Sequence, residues 1–209
     1  LKNFTPVMPS DFTVGRLSAV EEFSRKVKDI MVGLGFQEMM YNYLGSRKEY
    51  IDNMHVSDDS AVFIANPMSE NYEVIRPSIL PCLLESESVS GHAVYPHLIF
   101  ECGKVTVKDS SDNSGTHTAN NMAFFASNVQ IGYNEASSYI QTLMYFLRKD
   151  YTLLPLENDP RFIPGRGAEI IYKGKRAGVY GETHPQVLES WNCALPAIMA
   201  ELDLDVLLS

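Results

Sequence analysis

The chain has 209 residues, of which 45% are hydrophobic and 21% charged, a balance that suits an ordinary folded core and argues against disorder. Its formal net charge is −9 with a sequence pI near 5.0, so the surface as a whole repels a phosphate backbone and a dedicated RNA-binding module is disfavoured. Cys82, Cys102 and Cys193 lie far apart without a CxxC pair and read as free thiols of a reducing compartment, and no apolar run reaches the roughly 20 residues that span a bilayer, so a cytoplasmic protein is expected.

Residues 1–17 read as an extended lead-in from a preceding domain, with two prolines in its first nine positions, and residues 18–209 as one domain. A helix is predicted over 18–34, because Val20, Phe23, Val27, Ile30, Met31 and Leu34 fall on one face, Ser18 and Glu21 have capping-box spacing, and Gly33 and Gly35 supply the stop. The aromatic run 36–44 reads as a buried strand, and Ser46 with Glu49 opens a short helix over 46–54. A strand over 61–65 ends at Asn66-Pro67, and a helix over 77–87 carries an early interruption at Pro81.

Three further strands are predicted at 96–107, 122–133 and 151–156, with an amphipathic helix over 134–149 before the last. The polar stretch 109–121 reads as a loop. Two strands within 168–182 join around Lys173-Gly174-Lys175 as a hairpin, and 197–204 alternates as a strand with one buried face. The sum is an α+β domain: a mixed antiparallel sheet with helices on one or both faces.

Chemistry is sparse. None of the five histidines belongs to an HExxH helix or a paired Cys/His pattern, and no GxSxG elbow, Walker loop or GxGxxG occurs, so no catalytic, cofactor-binding or metal residue is assigned. His184-Pro185 reads as a structural helix start. Pro164-Gly165-Arg166-Gly167 offers backbone N–H groups to an anion or, on the plainer reading, makes a tight turn. Glu201, Asp203 and Asp205 share a strand face that would hold a cation or form a solvated charge row, and Arg76 would bind an anionic ligand or close a salt bridge.

Several blocks together carry a resemblance. Residues 66–84 (NPMSENYEVIRPSILPCLL) resemble a segment of phenylalanyl-tRNA synthetase β subunits that reads NP followed by a (V/L)R(T/P)SLLPGLL pattern. Residues 12–44, 96–105 (PHLIFECGKV), 161–188 (RFIPGRGAEIIYKGKRAGVYGETHPQVL) and 195–208 (LPAIMAELDLDVLL) resemble further blocks of the same family, chiefly its archaeal and eukaryotic type, which some bacteria also carry.

The resemblance implies a class II aminoacyl-tRNA synthetase-like antiparallel sheet flanked by helices, here the C-terminal catalytic-like region of a larger chain. It implies an α2β2 heterotetramer in which the α subunit activates phenylalanine with ATP and Mg2+ and charges tRNA(Phe). In active class II members an arginine of the second motif grips the ATP α-phosphate; the equivalent position here is Val107. The third motif, approximately GxGxER, falls on Glu201, Asp203 and Val206, which place two acids and a valine where two glycines and an arginine belong, and two carboxylates oppose a polyphosphate.

No arginine follows Arg176. The expectation is therefore a domain that binds no cofactor and supports the α subunit, with Ser24, Arg25 and Lys28 on the first helix as candidate interface residues. Two rivals remain: a freestanding class II paralogue that activates or binds a small amino acid, and a regulatory module that keeps an amino-acid pocket.

Overall fold

The computed structural model describes residues 3–11 and 14–209. The expected lead-in includes residues 1, 2, 12 and 13, which lie outside them; its other residues are exposed and form neither helix nor strand. The first helix, α1 (Ala19–Gly33), starts as predicted, with Ser18 Oγ accepting from the Glu21 N–H at 3.2 Å and Val27 and Met31 buried. The run 36–44 is not one strand: only β1 (Gln37–Glu38) and β2 (Leu44–Gly45) are extended, and they belong to different sheets. Its bulky residues follow one another without the alternation that lets a strand keep one wet face.

Ser46 and Glu49 close a reciprocal capping box, at 3.2 and 2.9 Å, ahead of a single helical turn at Lys48–Asp52. Two short strands, β3 (Val62–Phe63) and β4 (Val74–Ile75), complete a three-stranded sheet in the order β2-β4-β3. The next helix, α2 (Leu80–Val89), is uninterrupted: Pro81 sits in its first turn, where a missing N–H is harmless.

The stretch 109–121, read as a polar loop, is a turn over 109–115 and strand from Thr116 onward. Strands β5 (His97–Lys108) and β6 (Thr116–Ser127) pair along their whole length, and the turn between them is made by Asp109 and Asp112, which accept from the Ser111 and Ser114 N–H groups. Its polar Thr-His-Thr start marks the solvated end of a long hairpin. After α3 (Tyr133–Leu147) and β7 (Thr152–Pro155), strands β8 (Phe162–Tyr172) and β9 (Lys175–Thr183) form the predicted hairpin, turned by Lys173 and Gly174 with φ of 49° and 78°. Pro164-Gly165-Arg166-Gly167 makes no turn; it is an irregular part of β8, where the register shifts between the Phe162 and Gly167 pairs.

A short α4 (Pro185–Ser190) begins at His184, whose Nδ1 accepts from the Gln186 N–H, and strand β10 (Ala197–Asp203) leads into α5 (Leu204–Leu208). The large sheet runs β1-β5-β6-β10-β9-β8-β7, antiparallel except for the β1–β5 pair. Helices cover both faces. On one, Phe100, Phe124, Ile170, Ile198 and Leu202 pack under α1, α3 and α5; on the other, Phe125, Val179 and Met199 pack under α2 and α4 through Ile79, Leu83 and Trp191. Strand β10 is consequently buried on both faces, not one. Among the described residues no helix is long and apolar enough to cross a membrane.

Candidate functional site

Two of the expected positions, Val107 and Glu201, lie near the start of α2, on the sheet face that this helix covers. A cleft of about 250 Å³ opens there between the N-terminus of α2, the turn at 48–52, β5 and the start of β8; Val107, Ser78, Pro81 and Arg161 line it. The charged groups facing this region, Glu201 and Arg161, already have intramolecular partners.

Glu201 sits in the middle of β10, is buried, and points at the start of α2. It accepts from the Ile79 N–H at 3.0 Å, from Ser78 Oγ, and from Asn121 Nδ2 at 3.0 Å. A helix N-terminus offers unpaired N–H donors and positive partial charge, the usual attraction for a phosphate. Here a carboxylate of the chain itself takes that place.

Arg161 is the guanidinium that the sequence reading missed. It lines the cleft, yet its Nε and Nη2 are bound by Asp159 at 2.9 and 2.6 Å, and the pair is mostly buried. Burial works against the charge on each, and their mutual contact prevails, holding Asp159 below and Arg161 above its ordinary range. The signal available in the sequence was the Asp-Pro-Arg spacing at 159–161, where an acid and a base two residues apart can clasp.

Arg76, next in sequence to Pro77 and Ser78 of the cleft wall, is fully buried. Nη1 and Nη2 donate to Glu101 at 2.9 and 2.8 Å, Nε donates to the Lys104 carbonyl at 2.8 Å, and the Tyr43 ring stacks 4.4 Å from the guanidinium carbon. Of the two open readings, the salt bridge is the one observed. Gly103 is required beside it, because a Cβ there would stand 2.2 Å from Arg76 Nη2. Glu101, an acid within an apolar strand, was the unread half of this pair.

Of the remaining expected residues only Val107 reaches the cleft, and the others disperse. Val107 pairs with His117 at the outer part of the β5–β6 hairpin. Asp203 caps α5 by accepting from the Val206 N–H at 2.9 Å, Asp205 accepts from Asn120 N and Nδ2, and Val206 packs against the core. The three acids expected on one face therefore serve three different elements, since the strand ends at Asp203 and a helix turns Asp205 away. Among the described residues no three His, Cys, Asp or Glu side chains gather to hold a metal ion. On α1, Arg25 bonds to exposed Glu21 at 3.2 Å, Lys28 bonds to Glu38 of β1 at 2.6 Å, and Ser24 is half-buried between them.

Residues 5–204 match the family described as phenylalanyl tRNA synthetase beta chain CLM domain. The chain belongs to that family. It is 46% identical over 209 residues to the phenylalanine–tRNA ligase beta subunit of Borreliella burgdorferi, covering 100% of this chain and 37% of that protein. The subunits of Borrelia garinii subsp. bavariensis, at 46% over 209 residues, and Treponema pallidum, at 43% over 208, are similarly related, with 37% and 34% of their lengths covered. This chain thus spans little more than a third of those relatives. These relatives are bacterial, and the expected archaeal and eukaryotic type gains no support from them. The family's description likewise says nothing of a C-terminal, catalytic-like core.

Proposed function

We propose that this domain, residues 18–209, is a catalytically silent class II synthetase-like module of a phenylalanine–tRNA ligase β subunit. It supports an α subunit that ligates phenylalanine to tRNA(Phe) with ATP and Mg2+. One observation carries the reading: the sheet face that would receive nucleotide is covered by α2, whose N-terminus is satisfied by Glu201, while Arg161 is bound to Asp159. An ATP phosphate would have to displace two carboxylates already in place.

The relatives' names support the assignment to a ligase subunit, and the expected assembly is an α2β2 heterotetramer in the cytoplasm, with residues 1–17 leading in from the rest of the β chain. The exposed parts of α1, including Arg25 beside Ser24 and Lys28, remain the proposed contact with the α subunit. No observation favours a freestanding amino-acid-activating paralogue.

ATP–pyrophosphate exchange, measured on the complete ligase and on the β subunit alone, tests the reading. Exchange should require the α subunit and survive Glu201→Gln in β. Exchange by the β subunit alone would overturn it.

A further inference from the structure

A second surface lies beside the small sheet, and neither the fold nor the scaffold reading accounts for it. Two hollows of about 420 and 590 Å³ meet at Tyr72, sharing Asn42, Leu44 and Tyr72 as a common wall. They differ in chemistry.

The first hollow contains Glu49 and Glu85 and no lysine or arginine. Glu49 is engaged through one oxygen with the Ser46 N–H, whereas the Glu85 side chain makes no hydrogen bond or salt bridge among the described residues. Partial burial and the charge of Glu49 both raise the Glu85 carboxyl above its ordinary range. The second hollow is apolar, walled by Tyr43, Ile64, Pro67 and Met68, and Met68 is fully exposed. Met40, at 87% exposure, stands at the rim of the acidic hollow. An apolar hollow and an acidic one thus lie side by side across a shared wall, with no cation of the groove facing the carboxylates.

We propose that this two-lobed groove docks a protein segment presenting a lysine or arginine next to an apolar side chain. The cation would sit between Glu49 and Glu85, where the local charge is negative and nothing in the groove compensates it. The neighbouring side chain would fill the hollow at Met68 and Pro67. The unspent amides of Asn42 and Asn71 line the passage and suit the main chain of such a segment. A metal ion is a poorer occupant, since two carboxylates without a third donor make no coordination shell. A second copy of this chain is disfavoured by its net charge of −9. This inference does not rest on the scaffold reading.

Random 12-residue peptides displayed on phage would be selected against the complete β subunit in its assembly, and enriched peptides measured by fluorescence anisotropy. Selection should enrich Lys or Arg within two positions of Leu, Ile, Met or Phe. Binding should weaken about tenfold or more with Glu85→Lys and fall by severalfold as salt is raised, because an exposed ion pair is screened. Glu85→Lys should also shift selection toward acidic peptides. Tyr72→Ala should reduce binding at an unchanged melting temperature, and Glu85→Gln serves where the reversal harms the fold. Enrichment without a cation, no enrichment, or binding indifferent to Glu85→Lys would overturn the proposal. Self-association of the subunit abolished by Glu85→Lys would also overturn it, since the occupant would then be a second copy.

Discussion

Arg76 and Glu101 meet through two parallel hydrogen bonds of 2.9 and 2.8 Å with both side chains removed from water, joining the start of the α2 segment to the second-to-edge strand β5. Burial alone would depress the guanidinium, and the bonds and charge of Glu101 together hold it above its ordinary value. Removing one partner leaves a buried charge uncompensated. Arg76→Ala or Glu101→Ala should therefore cost about 3–5 kcal/mol. Arg76→Met combined with Glu101→Leu should cost clearly less than the sum of the single changes. Urea unfolding of the four proteins checks this; additive losses would contradict it.

Gly103→Ala should destabilise by about 1–3 kcal/mol, because the new methyl group must push aside Arg76 or Glu101 in a packed interior. In the Arg76→Met, Glu101→Leu background the penalty should change, since the colliding atom is gone. A penalty identical in both backgrounds would show that the obstacle lies elsewhere.

Asp159 has a folded-state pKa below its ordinary value of 3.8, because the Arg161 contact outweighs burial. A depressed carboxyl contributes stability at pH values above its unfolded pKa and loses it as pH falls through the folded one. Asp159→Asn should therefore destabilise at pH 7 by about 1–3 kcal/mol, and the difference should shrink as pH falls below the ordinary 3.8 through the depressed folded pKa. Melting temperatures from pH 2 to 7 report it; parallel curves throughout would contradict the assignment.

Reversing the degenerate positions should not create an active site. Val107→Arg with Glu201→Gly removes an acid and adds a guanidinium, yet α2 still covers the sheet face and has lost its cap. The expected outcome is a loss of about 1–3 kcal/mol in stability with no pyrophosphate exchange by the β subunit alone. Exchange in this variant would mean that side-chain identity, rather than the covering helix, silences the domain.

The three thiols should be inert in the native state. Burial pushes Cys82 up to about 11 and Cys102 and Cys193 up to about 12, so few thiolates exist near neutrality. Iodoacetamide at pH 8 should leave the folded chain unlabelled and add three groups in urea, read by intact mass. Rapid native labelling of any one thiol would contradict the burial described.

What could be read directly from the sequence was whatever is fixed by neighbours in the chain. Helix α1 followed from apolar spacing and from Ser18, the capping box from Ser46 and Glu49, and the β8–β9 turn from Lys173-Gly174, because each depends on residues within a turn of one another. The family could be recognised from its blocks for the same reason. The polar half of β6 was illegible, since its strand character comes from pairing with Lys104 to Lys108 and not from alternation of its own.

The tertiary structure alone decided what the charged groups do. Arg76 finds Glu101 across 25 residues, and Glu201 finds Ile79 across 122, so no local pattern announces either partner. A carboxylate in a strand reads equally as a ligand for a metal, a solvated edge or a helix cap. Only the fold, by setting α2 against β10 in a nearly dry interior, made the cap the arrangement that gives this buried carboxylate its donors: the Ile79 N–H, Ser78 Oγ and Asn121 Nδ2.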